Sequence, residues 1–407
     1  MSMGGVETLR AFWRKTVPLE ARQRAGVLLQ PVAIARTLAR AKRSFGSAGE
    51  GLPALVGFFK GASGIALSAQ LAGRALDHLG IPHRRVDVGD LSAPNSPDSL
   101  SASAWMFHLN APELLTLLPF WGTDRLAGPR FSYWAWELPK APPLWLRTAA
   151  VMDGVMSPSP YTAEAFAGAR TTLTAAPHPL IASEFAGVSN QSARQAGEAF
   201  RVVGMFDFKS SAARKNPEGA MAAFAAAFGD DPAARLVIKT HNADFAPEAA
   251  RRLRERGGAN VEFVDAVWDR AEVLRFIASA DAFLSLHRAE GFGLTLAEAM
   301  VLGTPVVATG WSGNLAFMDA DTACLVPSRL TAVEDPQGIY SGQMWAEPDI
   351  AAAAAQLRRL RDDRAFTEAL TIRAKAHVID RLSPKRWFEA LPAPLRAAFD
   401  GSRRSVG

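Results

Sequence analysis

A single cysteine among 407 residues, Cys324, excludes an intrachain disulfide and any cysteine-rich zinc site. It suits a reducing compartment and reads as a buried spectator. The seven histidines are scattered, with no His-Glu-x-x-His or comparable ligand spacing, so no bound metal is expected. No run approaches the ~20 apolar residues that a membrane-crossing helix needs. Arg10, Arg14 and Lys15 stand where a signal peptide would carry its apolar stretch, which points to a cytoplasmic protein. A Gly-x-Gly-x-x-Gly dinucleotide fingerprint with its downstream acidic partner is also missing, which weakens a dehydrogenase reading.

What is present is globular: 49% hydrophobic and 21% charged residues, in a chain long enough for two domains. The net charge of +5 is not spread evenly. Residues 10–43 hold Arg10, Arg14, Lys15, Arg22, Arg24, Arg36, Arg40, Lys42 and Arg43 against only Glu20, with Phe12, Trp13, Leu28 and Leu38 among them. That pattern predicts a basic helical extension over residues 1–50. It suits either the anionic inner face of a membrane, making the protein peripheral, or a solvated extension on the first domain. Without an RNA or DNA motif, the charge does not indicate nucleic acid.

Beyond residue 50 the chain alternates short apolar strands with amphipathic helices. An apolar run over 52–59, the turn Lys60-Gly61-Ala62-Ser63-Gly64, a helical pattern through Leu79 and a strand over 83–88 form a βαβ opening. Further strands are expected over 104–109, 130–135 and 154–157. Residues 183–199 carry few large apolar side chains and read as a linker, dividing a first domain (51–190) from a second (198–380). The second repeats the alternation, with strands over 200–206, 235–240, 261–264, 282–286 and 305–308, and helices over 218–228, 270–279 and 294–302. Two doubly wound parallel sheets in series place a ligand cleft at the carboxyl ends of their strands. The last helices, within 348–362 and 385–399, either close the second domain or, for 381–407, cross back to the first.

The most informative segment runs from Ser285 to Met300. A strand ends near Leu286, a loop carries Gly291, Phe292 and Gly293, and a helix opens at Leu294 and Thr295. A helix N-terminus with adjacent glycines binds a diphosphate through backbone amides. Glu290 at the mouth and Glu298 one turn in are carboxylates that would repel phosphate. Their natural use is to accept hydrogen bonds from the sugar hydroxyls on either side of it.

This segment resembles the Glu-seven-residues-Glu motif of retaining glycosyltransferases of GT-B fold, in the glycosyltransferases group 1 family (glycosyltransferase family 4-like). The resemblance implies that Glu290 contacts the transferred hexose, that Glu298 contacts the nucleotide ribose, and that Thr309-Gly-Trp-Ser-Gly-Asn314 is the family's next glycine loop. It also implies an Arg and a Lys for the donor diphosphate. Lys215 fits this role. Gly204 is followed by Met205, Phe206 and Asp207 in place of the usual arginine, leaving Arg214 as the substitute. Gly61, Ser63 and Gly64 resemble the glycine loop beneath the donor phosphates, although a plain tight turn explains them equally. His108, at a strand end, matches a histidine that contacts the donor sugar in family members.

Tyr133-Trp-Ala-Trp-Glu137 suggests either a platform for a sugar ring or core packing, and His178 lies near the junction. The expected activity is metal-independent, retaining transfer of a hexosyl group from a nucleotide diphosphate sugar of GDP-mannose or UDP-glucose type. The expected acceptor is a saccharide or polyprenyl-linked saccharide of envelope polysaccharide or lipopolysaccharide assembly. No cofactor is implied beyond the donor itself. The alternative is a catalytically silent saccharide-binding scaffold on the same fold.

Overall fold

The structure is a computed structural model that describes residues 34–40, 47–61, 63–89, 91, 95–122, 126–188, 198–335, 340 and 342–404. Most of the basic extension lies outside the described residues; within it, 34–40 are helical.

Two six-stranded parallel sheets dominate the molecule. The first comprises β1 (Ala54–Gly57), β2 (Arg84–Asp87), β3 (Trp105–Phe107), β4 (Arg130–Tyr133), β5 (Gly154–Ser157) and β6 (Thr172–Ala175), in the spatial order β2-β1-β3-β4-β5-β6. The second comprises β7 (Phe200–Asp207), β8 (Ala234–His241), β9 (Val261–Asp265), β10 (Ala282–Ser285), β11 (Val306–Thr309) and β12 (Cys324–Val326), in the order β12-β11-β10-β7-β8-β9. The chain is therefore α/β with two Rossmann-like domains. The expected strands form within a residue or two of their predicted bounds, and β6 and β12 are additional.

Successive strand residues face opposite sides of a sheet, and both faces are covered here. Ala54 and Val56 join one core cluster while Leu55 joins another. Val202 and Val203 likewise divide between the two cores of the second domain. This two-sided burial explains why the strands read as continuous apolar runs and not as alternation.

In such sheets the ligand crevice opens where the strand order reverses. The reversals fall between β1 and β3 and between β7 and β10. Four loops leave the strands there, carrying Gly61–Gly64, His108, Phe208–Lys215 and Leu286–Gly293.

Two features join the domains. The hairpin of β13 (Ser328–Ala332) and β14 (Met344–Pro348) is antiparallel and leaves the second sheet, and its Tyr340 and Trp345 enter a first-domain core. Helix Ile350–Asp362 packs on the second domain, whereas helices Pro384–Ala390 and Ala393–Arg404 pack on the first, through Trp387, Leu391, Leu395 and Phe399. The return crosses beside the linker, where the Leu180 amide donates to the Leu382 carbonyl at 2.7 Å. Among the described residues no helix is long and apolar enough to cross a membrane. Cys324 is buried on β12, and burial pushes its thiol up to about 12.

Trp387 is 2% exposed against Leu55, Ala72 and Met106. Trp387→Ala should therefore cost about 3–5 kcal/mol, the usual range for emptying a buried aromatic site. Urea unfolding checks this; a loss below about 1 kcal/mol would mean that the returning helices contribute little to the first domain.

Candidate active site

The segment after β7 is shaped by two non-glycine residues of positive φ, Ser211 (63°) and Asn216 (53°). Asparagine tolerates this conformation better than most residues because its short side chain bonds locally. The Asn216 side chain caps the next helix at the Gly219 amide (3.1 Å) and donates to the Leu286 carbonyl (2.9 Å). The loops after β7 and β10 are thereby fastened together. The short helix Ala212–Lys215 lies between these turns and presents its two cations to Glu290.

Glu290 is 8% exposed. The Lys215 ammonium donates to its Oε1, and Arg214 Nη1 lies 3.5 Å from its Oε2. Burial works to raise the Glu290 carboxyl, but Lys215, Arg214 and His287 hold it down at about 2. The backbone is fixed as firmly, since the Glu290 amide donates to Ser312 Oγ (2.9 Å) and its carbonyl accepts from the Gly313 amide (2.8 Å). A Cβ on Gly313 would stand 2.0 Å from the Gly291 oxygen, so only glycine fits this loop.

The helix opens where expected. Gly293 adopts the left-handed conformation at φ 89° and opens helix Leu294–Leu302, and no side chain caps that terminus. Leu294 and Thr295 are half-buried at the helix start. Gly291 serves a different neighbour from the one expected. Its carbonyl accepts from Ser159 Oγ (2.7 Å) and Thr162 Oγ1 (3.0 Å) of the first domain, and a Cβ there would lie 2.9 Å from the Trp136 oxygen. The glycine permits close approach of the other domain. Phe292 is buried between His178 and Phe317, with ring centroids 5.0 and 4.8 Å away.

Glu298 is 2% exposed and accepts from Arg270 Nη1 at 2.5 Å. Burial raises its carboxyl above the ordinary value, with Arg270 and Arg74 opposing. Arg270 also lies over the Phe185 ring. In the sequence it was an ordinary helix-start cation, with no signal separating it from its neighbours.

Arg214 differs from the expected diphosphate clamp. Its guanidinium is buried and donates to the carbonyls of Ala289 (2.8 Å) and Ser210 (3.0 Å), with Glu137 of the first domain 3.9 Å away. Tyr340 on the hairpin donates its hydroxyl to Glu137 at 3.1 Å. A guanidinium so occupied supports Glu290 from behind, and Lys215, which is half-buried, is the more open cation.

In the first domain, Ser63 caps helix Gly64–His78 through the Ala66 amide (3.3 Å), and the Gly61 carbonyl accepts from Gln70. The turn is therefore built as a helix start, whatever else it binds. His108 is 1% exposed, bonds Ser68 Oγ through Nδ1 at 2.8 Å and stacks on Tyr133 at 4.7 Å. Burial, then His178, lowers its pKa to about 3, so the ring is neutral. Tyr133 packs in turn against His178, which meets Phe292, making a continuous aromatic path to the loop before helix Leu294–Leu302. Trp134 and Trp136 are buried against Trp145 and are core residues, not an open sugar platform.

The fold is that of the GT-B class. Residues 202–340 match the profile of the family described as Glycosyl transferases group 1, so the second domain carries that family's signature. No curated protein matches the chain. Among solved structures it is similar to sucrose-phosphate synthase from Thermosynechococcus elongatus (18% identity, 88% of this chain and 99% of that one, TM-score 0.59). It is also similar to HepE from Anabaena in complex with UDP and glucose (14%, 88% and 100%, TM-score 0.57). A TarM mutant from S. aureus in complex with fondaparinux, alpha-GlcNAc-glycerol and UDP shares 12% identity over 82% of this chain, with a TM-score of 0.52. This chain spans 59% of the TarM length. At such identities the likeness is one of fold.

The depressed Glu290 pKa sets a sign for stability. A carboxyl lowered from 4.5 to about 2 stabilises the fold above its ordinary pKa, and this contribution is lost as pH falls through the folded value. The stability gap between wild type and Glu290→Gln, measured by urea unfolding, should therefore be widest above about pH 5 and narrow steadily towards about pH 3. A gap independent of pH would contradict the pairing.

Proposed function

We propose that the protein is a retaining hexosyltransferase that uses a nucleotide diphosphate sugar and a saccharide acceptor. The observation that carries this reading is the Lys215–Glu290 ion pair in front of an uncapped helix N-terminus, at the strand-order reversal of the second sheet. UDP-sugars are the first candidates, because HepE and TarM were solved with UDP. GDP-sugars come next.

The amides of Leu294 and Thr295, with Lys215, would take the diphosphate and offset the charge that grows on it as the glycosidic bond breaks. Glu290 and Glu298 would accept from hydroxyls of the hexose and the ribose. A carboxylate held at about 2 between two cations is a poor base for an acceptor proton. A departing phosphate, with a second pKa of about 6, is the better one. This favours attack from the leaving-group face, which retains configuration and needs no carboxylate pair at glycosidase spacing. Contacts from Ser159 and Thr162 to Gly291 would help close the cleft against water.

The test is donor hydrolysis and thermal stabilisation by UDP-, GDP-, dTDP- and ADP-sugars, with and without EDTA. One nucleotide sugar should stabilise the protein independently of EDTA, and Glu290→Ala and Glu298→Ala should abolish the effect. Lys215→Ala should reduce turnover by about 10²-fold or more, as loss of one preorganised charge partner does. No response to any nucleotide sugar or nucleoside diphosphate would favour the silent scaffold instead.

A further inference from the structure

We propose that Arg270 binds a ribose hydroxyl of the donor together with Glu298, so that the protein selects ribonucleotide over deoxyribonucleotide donors. This rests on the transferase reading above.

A guanidinium and a carboxylate can close on each other through two parallel hydrogen bonds. Arg270 and Glu298 make only one, from Nη1 to Oε1 at 2.5 Å. Arg270 Nη2 is buried without an acceptor, and among the described residues no group donates to Glu298 Oε2. One arm of each partner is therefore unused. Both arms adjoin the bond that does form, a separation that the two neighbouring hydroxyls of a ribose can bridge. A buried guanidinium nitrogen without a partner costs free energy, and a ligand that fills it recovers that cost. Nη2 only donates, so its partner must accept; a hydroxyl both accepts and donates, and so suits Nη2 and Oε2 alike.

The charges around the pair point the same way. Arg74, on helix Gly64–His78 of the first domain, is close enough to help hold the Glu298 carboxyl down, and it pairs with Glu184 at 2.8 Å. Two cations and two carboxylates leave no surplus charge for a second phosphate, which suits a neutral sugar. Because Arg74 comes from the other domain, the pair borders the cleft between them. Glu298 lies one turn into the helix whose first amides take the diphosphate in that reading, and Arg270 opens the helix Arg270–Ala278. The guanidinium is also held in place beforehand. A capping box between Asp269 and Glu272 fixes the backbone at Arg270, and the Phe185 ring lies 5.6 Å from its Cζ.

Titration calorimetry with UDP, GDP and ADP, each beside its 2′-deoxy and 3′-deoxy forms, tests this on the wild type without any substitution. For the nucleotide that binds, at least one deoxy form should bind about 10- to 100-fold more weakly than its parent, as when a buried polar site loses its partner. In Arg270→Ala that ratio should fall to about threefold or less, because the unmatched arm is gone. Arg270→Lys keeps a cation for Glu298 but lacks the planar second nitrogen, and should give a ratio in between. Lys215→Ala should weaken both forms alike and leave the ratio unchanged. Parent and both deoxy forms binding alike, a preference for dTDP, or an unchanged ratio in the Arg270 variants would overturn the assignment while leaving the transferase reading in place. No binding of any nucleoside diphosphate would overturn that reading, and this assignment with it.

Discussion

The site depends on one buried carboxylate. Glu290 is removed from water, and an isolated ionised group in that position would cost several kcal/mol. Lys215 and Arg214 meet that cost, and nearly every local feature serves to keep them there. The left-handed turns at Ser211 and Asn216 shape the short cationic helix, Asn216 fastens it to the β10 loop, and Ser312 and Gly313 grip the Glu290 backbone. Removing one member exposes the others to an unmatched charge.

The same constraint joins the domains. Arg214 reaches Glu137 as well as Glu290, Tyr340 reaches Glu137 from the hairpin, and Gly291 carries the hydroxyls of Ser159 and Thr162. The loop after β10 is therefore held against the first domain. A ligand diphosphate that competes for Lys215 would alter the charge around Glu290 and, through Arg214, around the domain junction. On the proposed reading, donor binding and the domain junction would be linked through these shared partners.

Much of the second domain was legible in the sequence because period, turn chemistry and motif agree there. Gly291, Gly293 and the apolar helix from Leu294 leave few alternatives, and the helix forms over the expected Leu294–Leu302. The partners of these residues were not legible. Glu137, Ser159, Thr162 and Tyr340 come from distant chain segments, and each looks like an ordinary surface or core residue until the domains meet. Arg270 is hidden for the same reason. Arg214 was read from its position after β7, but its direction depends on the φ of Ser211, which a sequence does not display. Trp134 and Trp136 show the opposite case: aromatic density cannot distinguish a platform from a core.

The central claim is that a donor diphosphate occupies the helix terminus at Leu294 and Thr295 and draws on Lys215. The most direct measurement is a crystal structure with the nucleoside diphosphate that best stabilises the protein. The account predicts the terminal phosphate on those amides, with Lys215 Nζ shared between phosphate and Glu290. A diphosphate bound elsewhere, with Lys215 still paired to Glu290 alone, would contradict it.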